Sequence, residues 1–430
     1  MATTDLMDRY KNVMFPAASP YHKENPIIID HAKDQYIWDV DGKQYLDFFG
    51  GVLTVSVGHC NEEITQRTIE QLQKVQHTTT IYINEIMVKL AEKVVELTPA
   101  GLNKVYFTSS GTEANETAVL AARMYTGRPT IITLRHAYSG RSMMAMSLTA
   151  HGSWRLGGVV DPYIKHVRNP YAYRAPVEGM STDELIDLCV QDLIETIETT
   201  TDGQIAAFMA EPIQGVGGFI VPPQDYFKRI MPIIKDAGAV FISDEVQTGW
   251  GRTGGKWFGI EQFGVTPDIM TFAKGMGNGS PIGCTITTSE IADAVQGATF
   301  STFGGNPVTM ATALATLEYM EAHDVKTNAS VMGAKIREKL EEFQSEFPFI
   351  GDVRGMGLMQ ALEIVKIGSK EPDGALTVAI MDTAKDKGLL LGKGGLHNNV
   401  IRISPHLNVA EADVDIAMDI LAKTLVEVSS

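Results

Sequence analysis

The sequence predicts an α/β protein whose main sheet is mostly parallel and flanked by helices, and three observations carry that prediction. From about residue 104, short runs rich in β-branched and aromatic residues alternate with amphipathic helical stretches. The runs are apolar at consecutive positions, so both faces of each strand are buried, as a parallel sheet requires. Near residue 320 the texture changes to helices, a strand-rich stretch and a last helix, which marks a smaller α+β domain in a chain of 430 residues, longer than one core usually serves.

In chain order, YIWDVDGKQYLDFFGG (36–51) carries a DG step between alternating apolar residues, a hairpin signal, and residues 1–55 are expected to pack with the small domain. Residues 56–320 form the large domain, with strands read at KVYFTS, PTIITLRH, QIAAFMAEPI, AVFISDEV, DIMTFAK and IGCTITTS. A helix from Glu113 presents Ala114, Ala118, Ala121, Ala122 and Tyr125 on one face and ends at Gly127. Another lies within Asp225–Ala237. Residues 321–430 form the small domain: a helix over about 307–322 leads into it, a second covers about 326–346, then come strands through GDVRGMGLMQALEIV and NVIRISPHLNV, and a helix from about Ala410 burying Val414, Ala417, Met418, Leu421 and Leu425.

A net charge of −16 argues against nucleic acid or an anionic membrane as the main partner, leaving a small molecule. Three scattered cysteines, Cys60, Cys189 and Cys284, suit a reducing compartment, and MATTDLMDRYKN has no apolar signal-like core, so the cytoplasm is the expected address.

Ligands of such sheets gather at the carboxyl ends of the strands. TFAKGMGNG ends a strand called from Asp268 to Ala273 with Lys274, where desolvation lowers an amine pKa and makes a nucleophile; a strand-end lysine also simply reaches water. Asp244 closes AVFIS, a place where a carboxylate needs a cation, while Glu245 reads as structural. SSGTEANE starts a helix at which Ser110 and Glu113 have capping-box spacing, and Ser110, Gly111 and Thr112 offer N–H groups and hydroxyls to an anion such as phosphate; an ordinary capped helix looks the same. Arg402, within the apolar run NVIRIS, suits bidentate binding of a carboxylate or lies on an edge strand in water. Glu211, at the end of QIAAFMA, either pairs with an arginine or remains a solvated strand end. Tyr138 stacks on a flat ligand or fills core, and Thr302 in STFGGNP sits in a loop before a helix. Together these groups supply what pyridoxal phosphate needs: an amine for its aldehyde, a carboxylate for its ring nitrogen and a helix start for its phosphate.

In order and wording, YLDFFGGVLTVSVGHC, SSGTEANE, EPIQGVGG, DEVQTGWGRTG, TFAKGMGNG, STFGGNP and the Arg402 strand resemble the class III aminotransferases of the fold type I pyridoxal phosphate enzymes, over nearly the whole chain. DFFGGVLTVSVGHC looks most like the branch around alanine–glyoxylate aminotransferase type 2 and the amine–pyruvate transaminases. The resemblance implies a seven-stranded main sheet, pyridoxal 5'-phosphate as cofactor, and a homodimer with sites shared between chains, or a tetramer built from such dimers. It implies Lys274 as the lysine that bonds to the cofactor and Asp244 as the ring-nitrogen partner. Val246 would lie against the ring, Gln247 near its phenolic oxygen, and Ser110, Gly111 and Thr112 at the phosphate. Tyr138 would stack, Glu211 would lie beside the cofactor, and Thr302 would reach the neighbouring subunit's phosphate. Arg402 and Leu53 would meet substrate, Leu53 standing where some amine transaminases have a bulky aromatic. Ser139 departs from the histidine common there. The implied reaction moves an amino group from an amino acid or amine to a 2-oxo acid such as pyruvate or glyoxylate. Rival activities are a 4-aminobutyrate- or ornithine-type aminotransferase, a decarboxylase, a racemase or an aminomutase on the same fold. A nucleotide-dependent dehydrogenase or a phosphate-binding protein is the reading from another class.

Overall fold

The computed structural model describes residues 3–18, 20–23, 25–158 and 160–429. Strands β1 (Ile29–Lys33), β2 (Tyr36–Asp39) and β3 (Gln44–Asp47) form an antiparallel meander. Its second turn is the expected DG step: Gly42 takes φ +82°, and Asp39 Oδ1 accepts the N–H groups of Asp41 and Lys43.

The main sheet holds β4 (Lys104–Thr108), β5 (Ile131–Leu134), β6 (Ile164–Val167), β7 (Ala207–Ala210), β8 (Val240–Asp244), β9 (Ile269–Ala273) and β10 (Gly283–Thr287) in the order β4-β10-β9-β8-β7-β5-β6. β10 is antiparallel to both its neighbours and the remaining pairings are parallel, so six strands share one direction. β5, β7, β8 and β9 are buried at every residue, which is why their sequences read as unbroken apolar runs. β6 escapes a reading by runs: on the sheet edge, its Lys165 and His166 are only half-buried and interrupt the pattern.

A third sheet, β11 (Ile350–Met356), β12 (Met359–Ile364), β14 (Gly392–Gly394) and β15 (Val400–Ile403), has the order β11-β12-β15-β14. The short β13 (Leu389–Leu390) leaves that region to pair in parallel with β3, Leu389 opposite Leu46, so the first and last parts of the chain share a sheet. The helices at Pro307–Ala322 and Val325–Glu346 lie where periodicity puts them, and the last, Glu411–Val428, buries all five expected residues. The helix Gly111–Thr126 buries its four alanines against the sheet, but Tyr125 is 37% exposed and donates to Glu290. Its position in the last turn carries it past the packed face. No described helix is long and apolar enough to cross a membrane.

Where the first sheet meets β15, Asp47 accepts the N–H groups of Phe49 and Gly50 and pairs with His59, with His406 fully buried beside them. Burial, helped by His59 and Arg252 and opposed by Asp47, pushes the His406 pKa down to about 4. The unfolded chain therefore binds a proton near pH 6.5 that the native state refuses until about pH 4, so this site costs stability as pH falls through that window, by about 1.4 kcal/mol per unit. The melting temperature of His406→Leu is expected to fall less between pH 6.5 and 4.5 than that of the wild type; parallel curves refute the assignment.

Candidate active site

Five co-directional strands end on one edge of the main sheet, and each delivers a group. Register sets their heights. Asp244 stands opposite Thr271, and Ser243 opposite Ala210, so Asp244 is level with Glu211, and Lys274 lies three residues beyond Thr271. Gly283 of the reversed strand faces Ala273 on one side and Thr108 on the other, bringing the turn after β4 beside the lysine. The result is a cavity of about 320 Å³ lined by Ser110, Gly111 and Thr112 from β4, Tyr138 from β5 and Glu211 from β7, and by Asp244, Val246 and Gln247 from β8 and Lys274 from β9.

Lys274 stands at φ +45°, a left-handed backbone uncommon for a side-chain-bearing residue, and opens a short 3₁₀ turn, Lys274–Gly277. The glycine that follows answers a close approach: a side chain at Gly275 would run into the Ser56 hydroxyl. The same turn is fastened to the loop after β3 by Asn278, which accepts the N–H groups of Ser56 (2.8 Å) and Val57 (3.0 Å) and donates to the Gly58 carbonyl. Desolvation pushes the Lys274 pKa down, with Asp244 and Glu211 opposing and Arg402 reinforcing it. An amine so placed spends more of its time neutral and nucleophilic.

Asp244 is 4% exposed and accepts two hydrogen bonds, from the Val246 N–H (3.1 Å) and from Asn115 Nδ2 (2.8 Å). Burial raises its carboxyl above the usual range, while those donors and Lys274 hold it down. Glu211, 6% exposed, is neither solvated nor paired with an arginine, which corrects both readings from sequence. Its oxygens accept the N–H groups of Tyr138 (3.1 Å) and Gly215 (2.8 Å). Burial, and then the Asp244 charge, drive its carboxyl upward. Glu245 serves structure, accepting the N–H groups of Gly259 and Ile260 and the hydroxyl of Thr248.

The helix start is capped as its spacing predicts on one side only. Ser110 Oγ accepts the Glu113 N–H at 3.2 Å, but the Glu113 carboxylate reaches one residue further back, to the Ser109 N–H at 2.7 Å. The first N–H groups of the helix have no intrahelical acceptor, and Gly111 and Thr112, which carry two of them, line the cavity, an arrangement suited to an anion. A side chain at Gly111 would meet Val246 at 3.2 Å and Ala273 at 3.4 Å, so the glycine lets the helix start pack close against the ends of β8 and β9. Gln247 Oε1 is buried without a partner among the described residues. Tyr138 is backed edge-to-face by Trp154, ring centroids 5.6 Å apart. An amine, a buried carboxylate, a ringed wall, an unpaired amide and an anion-ready helix start fit pyridoxal phosphate.

Three expected site residues do not line this cavity. Arg402 is 2% exposed, its guanidinium between the Phe49 and Phe219 rings (4.9 and 5.5 Å), donating to the carbonyls of Lys393 (3.0 Å) and Gly215 (3.4 Å). It is near enough to act electrostatically on Lys274 and Glu211. Leu53 packs in the same apolar cluster as Phe49 and Phe219. Thr302 is exposed. Asn115, conversely, lines the cavity and was not singled out, although it lies in SSGTEANE; the clue available was a polar residue on the alanine face of that helix.

The fold and cavity define a fold type I pyridoxal-phosphate-dependent transferase. The family model described as aminotransferase class-III matches residues 17–425, and the chain belongs to that family: it is a pyridoxal-phosphate-dependent transaminase. It is 38% identical over 416 residues to "Alanine--glyoxylate aminotransferase 2 homolog 2, mitochondrial" of Arabidopsis thaliana, covering 96% of this chain and 86% of the relative. It is 36% identical over 442 residues to a leucine/methionine racemase of Thermococcus litoralis, covering 100% and 96%. Among solved structures, an amine transaminase from an uncultivated Pseudomonas species in its PLP-bound form superposes with a TM-score of 0.90 at 32% identity, covering 96% of this chain and 98% of that one.

Proposed function

We propose that the enzyme moves an amino group from an amino acid or amine to pyruvate or glyoxylate in two alternating half-reactions. The observation that carries this is a single cavity that gathers Lys274 and the buried carboxyls of Asp244 and Glu211, with a buried arginine, Arg402, outside its lining but near enough to act electrostatically on Lys274 and Glu211. The bound cofactor supplies an electron-withdrawing ring and stores the amino group between halves. Lys274 Nζ takes the proton from the donor's amine-bearing carbon as base and returns it as acid. Asp244 keeps a negative charge where the ring nitrogen must stay protonated. Ser110, Gly111 and Thr112 would hold the phosphate, Val246 and Tyr138 would enclose the ring, and Gln247 would meet its phenolic oxygen. Leu53 shapes the substrate side.

Arg402 binds the α-carboxylate of amino and keto acids, and Glu211 compensates its charge when the donor has none. Arg402→Ala is therefore expected to lower kcat/KM for alanine by about 100-fold, the loss of a charged bidentate contact, and for a simple amine by less than about tenfold. Equal losses in steady-state assays with the two donors count against a carboxylate-specific role.

Dimerisation is supported by an exposed apolar surface on two touching loops: Ile81, Tyr82 and Ile83 on one, Phe300 and Phe303 on the other, with His77 against Phe303 and Thr302 between the phenylalanines. Such a patch is large for a free surface, and a second copy covering it would bring Thr302 to the neighbour's phosphate site. We place the domain limits near residues 55 and 320 and the enzyme in the cytoplasm, a reading supported by three cysteines that form no disulfide, although the Arabidopsis relative is named as mitochondrial.

The Thermococcus relative gives a racemase reading its one specific support. A panel of donors with pyruvate and glyoxylate, followed for keto acid and amine products, decides between them. Keto acid formed in step with acceptor consumption supports transamination; inversion of a single amino acid without acceptor refutes it.

A further inference from the structure

Asn115 and Thr271 are fully enclosed, at 2% and 0% exposure, and form one chain of hydrogen bonds that ends on Asp244. We propose that these two are positioning residues that set the aim and charge of Asp244, a role that rests on reading Asp244 as the ring-nitrogen partner.

The orientation of the Asn115 amide follows from its neighbours. Its nitrogen lies 2.9 Å from the Ser139 carbonyl and 2.8 Å from Asp244 Oδ2, two groups that only accept, so both amide hydrogens are committed. The amide oxygen is thereby turned toward β9, where the Thr271 hydroxyl donates to it at 2.7 Å. Thr271 stands opposite Asp244 across the β8–β9 pairing, so the register that builds the sheet also delivers the donor. Without that hydroxyl the buried oxygen is left unpaired, and turning the amide over would set it against a carbonyl and a carboxylate. Without the amide, Asp244 keeps one donor, the Val246 N–H, and burial drives its carboxyl further toward the protonated, uncharged form.

Asn115, on the helix after β4, is thus tied to the turn after β5 through the Ser139 carbonyl, to β9 through Thr271 and to β8 through Asp244. Ser139 contributes its main-chain carbonyl here, and Asn115 is the side chain that donates to Asp244.

The test uses the wild type and Asn115→Ala, Thr271→Val, the double variant, Thr271→Ser and Asp244→Asn. Each is assayed for the dissociation constant of pyridoxal phosphate from equilibrium dialysis, and for the pH midpoint of the bound cofactor's visible absorption. Asn115→Ala is expected to weaken binding about tenfold, the worth of one hydrogen bond to a charged group, and to move the midpoint in the direction that Asp244→Asn moves it. Thr271→Val should do the same to a smaller extent and add nothing once Asn115 is gone, while Thr271→Ser keeps wild-type values. Asn115→Ser replaces the alanine variant if that chain does not fold. Wild-type affinity and midpoint in Asn115→Ala and Thr271→Val, with both lost in Asp244→Asn, overturns the inference and leaves the reading of Asp244 intact. Wild-type values in Asp244→Asn as well overturn that reading and the inference with it.

Discussion

Replacing Lys274 by alanine is expected to lower kcat by about 10⁴-fold while the protein still holds pyridoxal phosphate without a covalent bond. The expectation follows from what else the cavity offers. Lys274 is the one lysine among the described residues that line it, and the other cation there, Arg141, does not give up its proton at working pH. No neighbouring amine can take over the proton transfer. The groups proposed to anchor the cofactor follow other strands, Ser110 and Thr112 after β4 and Val246 and Gln247 after β8, so truncating the lysine leaves them in place. Two measurements check this. Steady-state rates with donor and acceptor should vanish, and mass spectrometry after borohydride reduction should find the cofactor's mass on the wild type alone. Wild-type-like kcat in the variant refutes the assignment.

Asp244→Asn is the second large effect, with kcat expected to fall by about 10²- to 10³-fold. Asparagine keeps the size of the side chain and one acceptor. That acceptor goes to Asn115, whose amide hydrogens demand it, which sets the new side chain's own N–H₂ group where Oδ1 accepts the Val246 N–H, donor against donor. A neutral amide no longer supplies the negative charge that favours a protonated ring nitrogen. The substitution also removes a charge that raises the Lys274 pKa, so the lysine becomes still easier to deprotonate. If loss of the lysine's charge state were the cause, raising the pH would not distinguish the variant from the wild type. Persistence of the defect at every pH, measured in each half-reaction, assigns it to the missing carboxylate.

What could be read from the sequence was whatever lies within a few residues of a strand end. Lys274, Asp244, Glu211 and the Ser110 turn each close an apolar run, so position along the chain implies position in the sheet, and the fold then brings them together. The partners of Glu211 were misjudged because they are main-chain N–H groups, of Tyr138 and Gly215, which have no signature in the residue letters. Asn115 was overlooked because its role depends on register between β8 and β9 and on a carbonyl 24 residues away. Edge strand β6 was missed because half-exposed Lys165 and His166 break its apolar pattern. Arg402 and Leu53 were found as residue types, but their burial among Phe49 and Phe219 is a product of packing between sheets.

The reversed strand β10 imposes an order of events on biosynthesis. β4, which leads into the turn proposed to hold the phosphate, has no other neighbour in its sheet among the described residues, and its five pairings all reach across to residues 283–287. A nascent polypeptide still short of Thr287 can have made its anion cradle and its lysine, yet β4 has no strand to pair with, and the helix after it holds to β8 and β9 by side-chain contacts alone, such as those of Asn115 with Asp244 and Thr271. Coenzyme loading is therefore a late act, one that waits on the ribosome, and fragments ending before that strand should emerge colourless however much vitamin is supplied.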